Sequence, residues 1–446
     1  MAIPLVISFT LRFMFSMVDM AYAAVLTDDN DAVAAIGFFL PFQSLHIALW
    51  IGLSAGFTSA LSSAFGYRDE ERVTQLKRTM ARILAMMVPT LALLGVGLYF
   101  ATPLFGLEPG LERAFRIYGS TLMIGMPLTG FWSIYPDSIV KAHQDTRSTM
   151  IAGLVSTIAN IVLNTLFVFA FGMGIFGIAI ATVISRLAGL AYASHRTWHL
   201  ESARNTETWQ CPVRDWVTPA RAILLLAIPG SVTHLLLTAE GALINGILRS
   251  LPNSTNAIAS YGIYDRILTF ALMPAVATSV AIVPYVGRSL PEGRHTEVLA
   301  DIKRALIWTS GLALLITVPI GWIFADDVAG FFVKDTSMKM GTHGITSPLT
   351  LTALHILPLT AICAGPFLLL RPVFEAALKP RLGTIVSLLR FACLSIPLIL
   401  IGSTLAPTLG FDGLLGTIAG LGLAGLLASL ATTLLAIRVI TNSADQ

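Results

Sequence analysis

The residues in this chain best placed for chemistry are oxygen donors set inside otherwise apolar stretches. Asp19 sits in Phe15-Ser16-Met17-Val18-Asp19-Met20, in the first long hydrophobic segment. A carboxylate buried in such a segment costs several kcal/mol of desolvation unless a cation, a proton or water offsets it. Asn160 and Asn164 are four apart and share a helix face, and Thr157 extends that stripe by one turn. Counted along helices at ~1.5 Å per residue, Asp19, Asn164 and Thr182 fall at one level, ~10–12 Å below the outer membrane face, with Asn160 one turn deeper. One carboxylate, two amide oxygens and a hydroxyl make a hard-oxygen set for Na⁺, or for a proton on Asp19. The competing explanation is that Asn and Thr serve as hydrogen-bonding glue between helices. The carboxylate at the same depth favours the cation.

A second group of acids, Glu240 and Asp265, shares one depth in the second half of the chain. They would share a proton, face a cationic ligand, or pair with a basic residue such as Arg266. Arg186 and Arg390 also lie inside apolar spans, where pairing with acids is expected, and Arg12 would snorkel. Asp137 and Glu375 fall near span ends and read as solvated or Arg-paired. Met17 and Phe42 belong to a Met- and Phe-rich stretch that would wall a broad apolar cavity, although core packing or lipid contact explains such residues too. His46, His234 and His355 are isolated and read as packing or hydrogen-bonding residues.

The elements that carry these residues are membrane spans. The chain has 446 residues, 55% hydrophobic and 12% charged, with a mean hydropathy of +0.78. A soluble domain is nearer a quarter charged, so lipid is the expected solvent. Twelve apolar runs reach the ~20 residues needed to cross the hydrocarbon, at about 2–26, 32–62, 80–104, 116–139, 149–171, 174–195, 219–248, 257–287, 298–325, 349–378, 382–405 and 413–437. We call them helices 1 to 12. The net charge of +3 is too small to argue for nucleic acid. Cys211, Cys363 and Cys393 form no CxxC pair, so neither zinc nor a disulfide framework is expected. The first segment does not read as a cleavable signal peptide.

Basic residues concentrate in the loops after even-numbered helices, for example Arg68, Arg72, Lys141, Arg147, Arg288 and Lys379, while the first odd loop carries Asp28, Asp29 and Asp31. The positive-inside rule then places both termini in the cytoplasm. The longest basic connection, 196–218, reads as a cytoplasmic linker between an N-lobe at 1–195 and a C-lobe at 219–446. The halves rhyme: Ala2-Ile3-Pro4 opens helix 1 and Ala227-Ile228-Pro229 lies in helix 7, each ahead of one acid. Equal orientation of both halves implies a parallel repeat about an axis along the membrane normal. The expected fold is therefore all-α, twelve transmembrane helices in two six-helix lobes related by a pseudo-two-fold axis. GxxxxGK[ST], HExxH and GxSxG are all absent, so no nucleotide-binding loop or hydrolase motif argues for an enzyme.

The run Pro4…Val18-Asp19…Ala34-Ala35-Ile36-Gly37…Pro41…Gly52-Leu53-Ser54-Ala55-Gly56…Gly66 resembles the opening of the multidrug and toxic compound extrusion (MATE) family. So do Asn160…Asn164, the stretch Gly174-Ile175-Phe176-Gly177-Ile178-Ala179-Ile180-Ala181-Thr182, and Tyr261-Gly262-Ile263, Arg266, Met273-Pro274-Ala275 with Val286-Gly287 in helix 8. The resemblance covers nearly the whole chain and rests on the order and spacing of these motifs. It implies an inner-membrane Na⁺- or H⁺-coupled antiporter that exports amphipathic, cationic small molecules by alternating access. It further implies that Asp19, Asn160, Asn164 and Thr182 form the cation site (for Na⁺ if sodium is the coupling ion), with Ile178 at a position that offers a backbone carbonyl. Glu240 resembles the helix 7 acid of some members, about one turn from where the repeat would place it; the helix 10 acid of those members has no counterpart, because Glu375 lies too near the helix end. Glu240, Asp265, Met17 and Phe42 are expected around the substrate. No cofactor beyond the coupling ion, no nucleic acid, membrane lipid as surroundings and a monomeric state complete the expectation. The rival is a lipid-linked precursor flippase of the same superfamily, which would need a cationic cavity. A non-transporting scaffold or receptor would need no buried carboxylates.

Overall fold

The computed structural model describes residues 6, 19, 22–23, 26, 31–204, 217–251, 254–329 and 346–442. Helix 1 is described at Val6, Asp19, Tyr22, Ala23 and Leu26, all helical; Met17, Arg12 and Cys211 lie outside the described residues. The other eleven spans are helical. Helices 2 and 3 are Asp31–Gly66 and Glu70–Ala101, and helix 4 runs Pro109–Met126 and Ile134–Ala142. Helices 5 to 8 are Thr146–Thr165, Gly174–Ser202, Val217–Arg249 and Ser254–Ser289. Helix 9 is His295–Val318, helix 10 is Thr346–Leu370 with Val373–Ala376, helix 11 is Pro380–Leu388 with Ile396–Thr408, and helix 12 is Gly413–Asn442. Ten of these spans are long and apolar enough to cross a bilayer. Their outward faces carry exposed large apolar side chains such as Leu93, Phe100, Leu315 and Leu434. In water that would be costly; in hydrocarbon it is the rule, because only backbone polar groups need internal partners there.

Several spans widen locally into π-helical turns: Pro127–Phe131 in helix 4, Leu166–Ala170 after helix 5, Pro319–Ile323 after helix 9 and Leu389–Ser395 in helix 11. Pro127 and Pro319 each begin one, since proline supplies no N–H and the ladder must re-register past it. In helix 4 the Trp50 indole N–H donates to the Gly130 carbonyl at 3.1 Å, which satisfies backbone the widened turn leaves open.

The connections after helices 2, 4 and 10 are tight and alike. Arg68, Gln144 and Leu378 each adopt the left-handed region, with φ of 58°, 62° and 56°. In each turn the next N–H reaches back five residues: Asp69 to Ala64, Asp145 to Val140 and Lys379 to Phe374. This closes the preceding helix as a Schellman turn does. Gly293, also at positive φ, lies in the helix 8–9 connection. The turns after helices 2, 4, 8 and 10 thus repeat at corresponding places in the two halves of the chain.

Packing divides the chain into two units, Met1–Ser231 with Val283–Glu292, and Val232–Ile282 with Gly293–Gln446. The units divide inside helix 7, after Ser231, and inside helix 8, after Ile282. In the first unit, one core gathers Leu53, Phe57 and Leu61 of helix 2 with Met80 of helix 3 and Ile223 and Ala227 of helix 7. Glycine makes that approach possible: a Cβ on Gly56 would lie 2.5 Å from the Ile223 carbonyl oxygen and 2.8 Å from the Ala227 nitrogen. A second core, around Phe39, Phe115, Tyr118 and Ile178, lies under the site described next. The other unit has its own core, built on Tyr264, Leu354, Ile399 and Ile418.

At the ends of helices 3 and 6, Glu201 collects Lys77, His143 (2.9 Å) and Arg204 (3.3 Å), and Arg204 also pairs with Glu70. Asp145 caps helix 5 by accepting from the Ser148 N–H at 3.1 Å and pairs with Arg196 at 2.8 Å. Partial burial pushes the Asp145 carboxyl up, but the Ser148 hydrogen bonds and Arg196 outweigh it and hold the group below the usual carboxylate range.

Candidate cation and substrate sites

Helices 5 and 6 pass close enough for their polar stripes to meet because Gly189 has no side chain: a Cβ there would lie 3.0 Å from the Ala152 carbonyl oxygen and 3.2 Å from Ser156 Cβ. Gly189 is two turns after Thr182, and Ala152 and Ser156 are two turns and one turn before Asn160. The resulting contact joins Asn160 Nδ2, as donor, to Thr182 Oγ1 at 3.2 Å. Helix 1 completes the group. Asn164 Nδ2 donates to Asp19 Oδ1 at 2.9 Å and to Asn160 Oδ1 at 2.8 Å, while the Thr182 hydroxyl donates to Asp19 Oδ2 at 3.1 Å.

The four residues therefore form a closed ring, Asp19–Asn164–Asn160–Thr182, and all four are buried. Thr157 stays on the same stripe but donates to the Gly153 carbonyl of its own helix. Ile178 is fully buried one turn before Thr182.

Hydrogen accounting within the ring is uneven. Both Asn164 amide hydrogens and the Thr182 hydroxyl hydrogen are used. Asn164 Oδ1 is buried and accepts no hydrogen bond. A buried amide oxygen without a donor is costly, and a cation bound there would relieve it. Among the described residues no cluster of three or more His, Cys, Asp or Glu forms. One carboxylate with amides and a hydroxyl is the donor chemistry of an alkali cation or a proton rather than of a transition metal.

Four neighbours of the ring were not singled out as site residues from sequence. The Tyr22 hydroxyl and Thr165 Oγ1 are 2.6 Å apart and tie helix 1 to helix 5 a second time. Tyr118 of helix 4 is buried within electrostatic reach of Asp19, and the half-buried Arg186, one turn past Thr182, is within its reach too. Tyr22 follows Asp19 by three residues, at helical spacing, so the sequence did hold a signal for it; Thr165, next to Asn164 in the chain, had none. His46 is bound through Nδ1 to the Phe42 carbonyl at 3.1 Å, the hydrogen-bonding role expected of it. Phe42 is half-buried among Phe39, Phe105 and Phe115, in an aromatic cluster.

In the second unit the acids separate. Glu240 is buried and accepts from Arg390 Nη1 at 2.8 Å; Arg390 also donates to Ser395. Asp265 is exposed, and among the described residues no hydrogen bond or ion pair holds it. Glu375, fully buried, pairs with Arg371 at 2.7 Å, and Arg371 reaches Thr233 Oγ1 at 3.0 Å. Asp137 pairs with Lys141 at 2.6 Å.

Spans, lipid-facing surfaces and a buried oxygen ring define a multi-pass α-helical membrane protein. The profile of the MatE family matches residues 4–166 and 229–401, and the chain belongs to that family of multidrug efflux transporters. Among curated relatives, a probable multidrug resistance protein of Bacillus subtilis, YoeA, is 23% identical over 324 residues, 70% of this chain and 68% of its own length. A FAD transporter of Shewanella oneidensis is 24% identical over 450 residues, 98% of this chain and 93% of its own. Among solved structures, the outward-facing form of a multidrug resistance MATE transporter superposes with a TM-score of 0.86 at 19% identity, covering 100% of this chain and 95% of that one. The Vibrio cholerae MATE transporter VcmN also scores 0.86, at 22% identity, over 100% and 97% of the two chains. These likenesses show the twelve-helix, two-lobe fold.

Proposed function

We propose that this chain is a cation-coupled antiporter of the inner membrane, with both termini cytoplasmic, that exports amphipathic organic cations. The observation that carries the reading is the buried, unpartnered Asn164 Oδ1 beside the Asp19 carboxylate. In this reading Na⁺ or a proton binds at Asp19, with Asn164, Asn160 and Thr182 as the remaining oxygens. Na⁺ would take lone pairs from Asp19, Asn164 Oδ1 and Thr182 Oγ1; a proton would sit on Asp19 and turn it into a donor. Either ion changes what the ring can bond, and so biases the packing of helix 1 against helices 5 and 6. The cation favours one conformation and the cargo the other, each by its differential affinity. The lobes that alternate are 1–195 and 219–446, with 196–218 as the cytoplasmic connection, and the chain works as a monomer.

A second reading concerns cargo. The Shewanella relative matched over nearly the full chain is named as a FAD transporter, which makes a large anionic nucleotide the alternative to an organic cation. A lipid-linked precursor flippase is the third possibility, and the exposed acid Asp265 argues against its anionic head-group. The deciding experiment is transport by the purified chain in proteoliposomes, with Na⁺ and pH gradients imposed separately. A fluorescent organic cation, FAD and a labelled lipid are each offered as cargo. Gradient-driven export of the organic cation, lost in Asp19→Asn, is the expected result. Full transport by Asp19→Asn at equal reconstitution sinks the proposal.

A further inference from the structure

Buried carboxylates in a membrane protein must be balanced, and the two units balance theirs differently. In the first unit Asp19 accepts hydrogen bonds from uncharged partners, Asn164 and Thr182. In the second, Glu240 of helix 7 holds a guanidinium 2.8 Å away, and both side chains are less than a tenth exposed. Arg390 belongs to the π-helical turn Leu389–Ser395 of helix 11, an insertion that turns its side chain to meet helix 7. The turn closes on itself, with Ser395 Oγ donating to the Arg390 carbonyl at 2.9 Å while it accepts from the Arg390 guanidinium. The Phe391 ring lies 5.0 Å from the guanidinium carbon. Arg390 is thus held from three sides in the one place where it neutralises Glu240.

Asp265, on helix 8, interacts with Glu240 through space and is itself exposed. Tyr261, one turn before it, lies within electrostatic reach of Asp265, Glu240 and Arg390 together, so the three charges occupy one neighbourhood. Arg390 is committed to Glu240 by an ion pair. Arg266, next to Asp265 in the chain, acts on Asp265 through space, but among the described residues no ion pair joins them, so Asp265 keeps its carboxylate open to a ligand.

We propose that Arg390 is the second unit's built-in counter-cation. It occupies Glu240 where a mobile cation would otherwise be drawn, and leaves Asp265 as the acid that meets a cationic substrate. The coupling ion is then taken up at Asp19 alone, a consequence that rests on the antiporter reading above. Arg390 acts as a positioning and specificity-determining residue. Its removal does more than weaken packing, because it exposes Glu240 as a second cation site.

The test uses the full-length purified chain and two ions of equal shape and opposite charge, tetraphenylphosphonium and tetraphenylborate. Binding of ²²Na⁺, and proton release on tetraphenylphosphonium binding, give the coupling-ion count. The wild type should take about one ion per chain, with the count lost in Asp19→Asn. Arg390→Gln should raise the count to about two and make the cation dependence cooperative, and adding Glu240→Gln should return it to one. Asp265→Asn should weaken tetraphenylphosphonium binding about tenfold or more while leaving tetraphenylborate unchanged, a one-charge effect. A wild-type count of two, or Arg390→Gln that folds with an unchanged count, overturns the proposal. So does Asp265→Asn that binds both ions as before. If Arg390→Gln does not fold, the wild-type count and the Asp265 variant still decide. Unchanged gradient-driven transport by Asp19→Asn would instead indict the antiporter reading, and the opposite-ion binding arms do not depend on coupling.

Discussion

Asn164 has two amide hydrogens and spends both, on Asp19 and Asn160, which leaves its own oxygen facing nothing. A near-isosteric apolar replacement, Asn164→Leu, removes the donor that holds Asp19 and the orphaned oxygen together. Losing a buried hydrogen bond to a charged group costs about 1.5–3 kcal/mol. The expected outcome is at least a tenfold rise in the coupling-ion concentration needed for half-maximal transport, with the chain still eluting as a folded species. Unchanged ion dependence in that variant would relegate the ring to helix-helix glue. Asp145 tests electrostatics outside the spans. Its folded-state carboxyl is depressed, so its stabilisation is fully present above the unfolded-state value and is lost as pH falls through the folded one. Asp145→Ala also removes the helix 5 N-cap, which is worth about 1 kcal/mol. Thermal melts in detergent should show the wild type losing its advantage over Asp145→Ala as the buffer is acidified below the normal aspartate range.

At the scale of elements, the even-to-odd turns force three residues with side chains into the left-handed region, where an L-residue loses roughly 1–2 kcal/mol. Arg68, Gln144 and Leu378 bear that strain. Gln144→Gly relieves it and should raise the midpoint of thermal unfolding, by about 0.5–1 kcal/mol equivalent after glycine's extra chain entropy is subtracted. A lower midpoint would mean that the Gln144 side chain does more in the fold than fill the turn. The contact of helix 2 with helix 7 responds in the opposite sense. Gly56 has no space for a methyl group against the Ile223 and Ala227 backbone, so Gly56→Ala must separate the helices. Overpacking of this kind costs about 1–3 kcal/mol, and we expect both the melting midpoint and the transport rate to fall. A variant as stable and as fast as the wild type would show that this contact yields freely.

For the whole molecule, thermodynamic linkage makes a stricter demand than any single variant. If the coupling ion and the cargo act through one conformational equilibrium, then the factor by which the ion weakens cargo binding must equal the factor by which cargo weakens ion binding. Paired titrations of tetraphenylphosphonium with and without Na⁺, and of ²²Na⁺ with and without tetraphenylphosphonium, measure both factors. Unequal factors at equilibrium would break the single-equilibrium mechanism.

Much was legible in the sequence because a bilayer reduces structure to one dimension. Span length follows from apolar run length, and depth follows from counting residues at a fixed rise. That is why Asp19, Asn160, Asn164 and Thr182, from helices 1, 5 and 6, could be grouped before any contact was known, and why the all-helical class was readable from composition. Depth leaves the azimuth of each helix open. Which of Arg266 and Arg390 meets Glu240 was not readable, because the partner is 150 residues away and is aimed by a π-helical turn with no sequence signature of its own. The left-handed turn residues were equally hidden, since Arg, Gln and Leu are not the residues that usually mark that conformation. The boundary between packed units inside helix 7 depends on Gly52 and Gly56 meeting Ala227 and Ser231, a long-range steric match. Hydrophobic run and depth are local sums over the chain and belong to the sequence. Pairing of charges, closure of the oxygen ring and the point at which helix 7 divides depend on which helix faces meet, and only tertiary packing decides that.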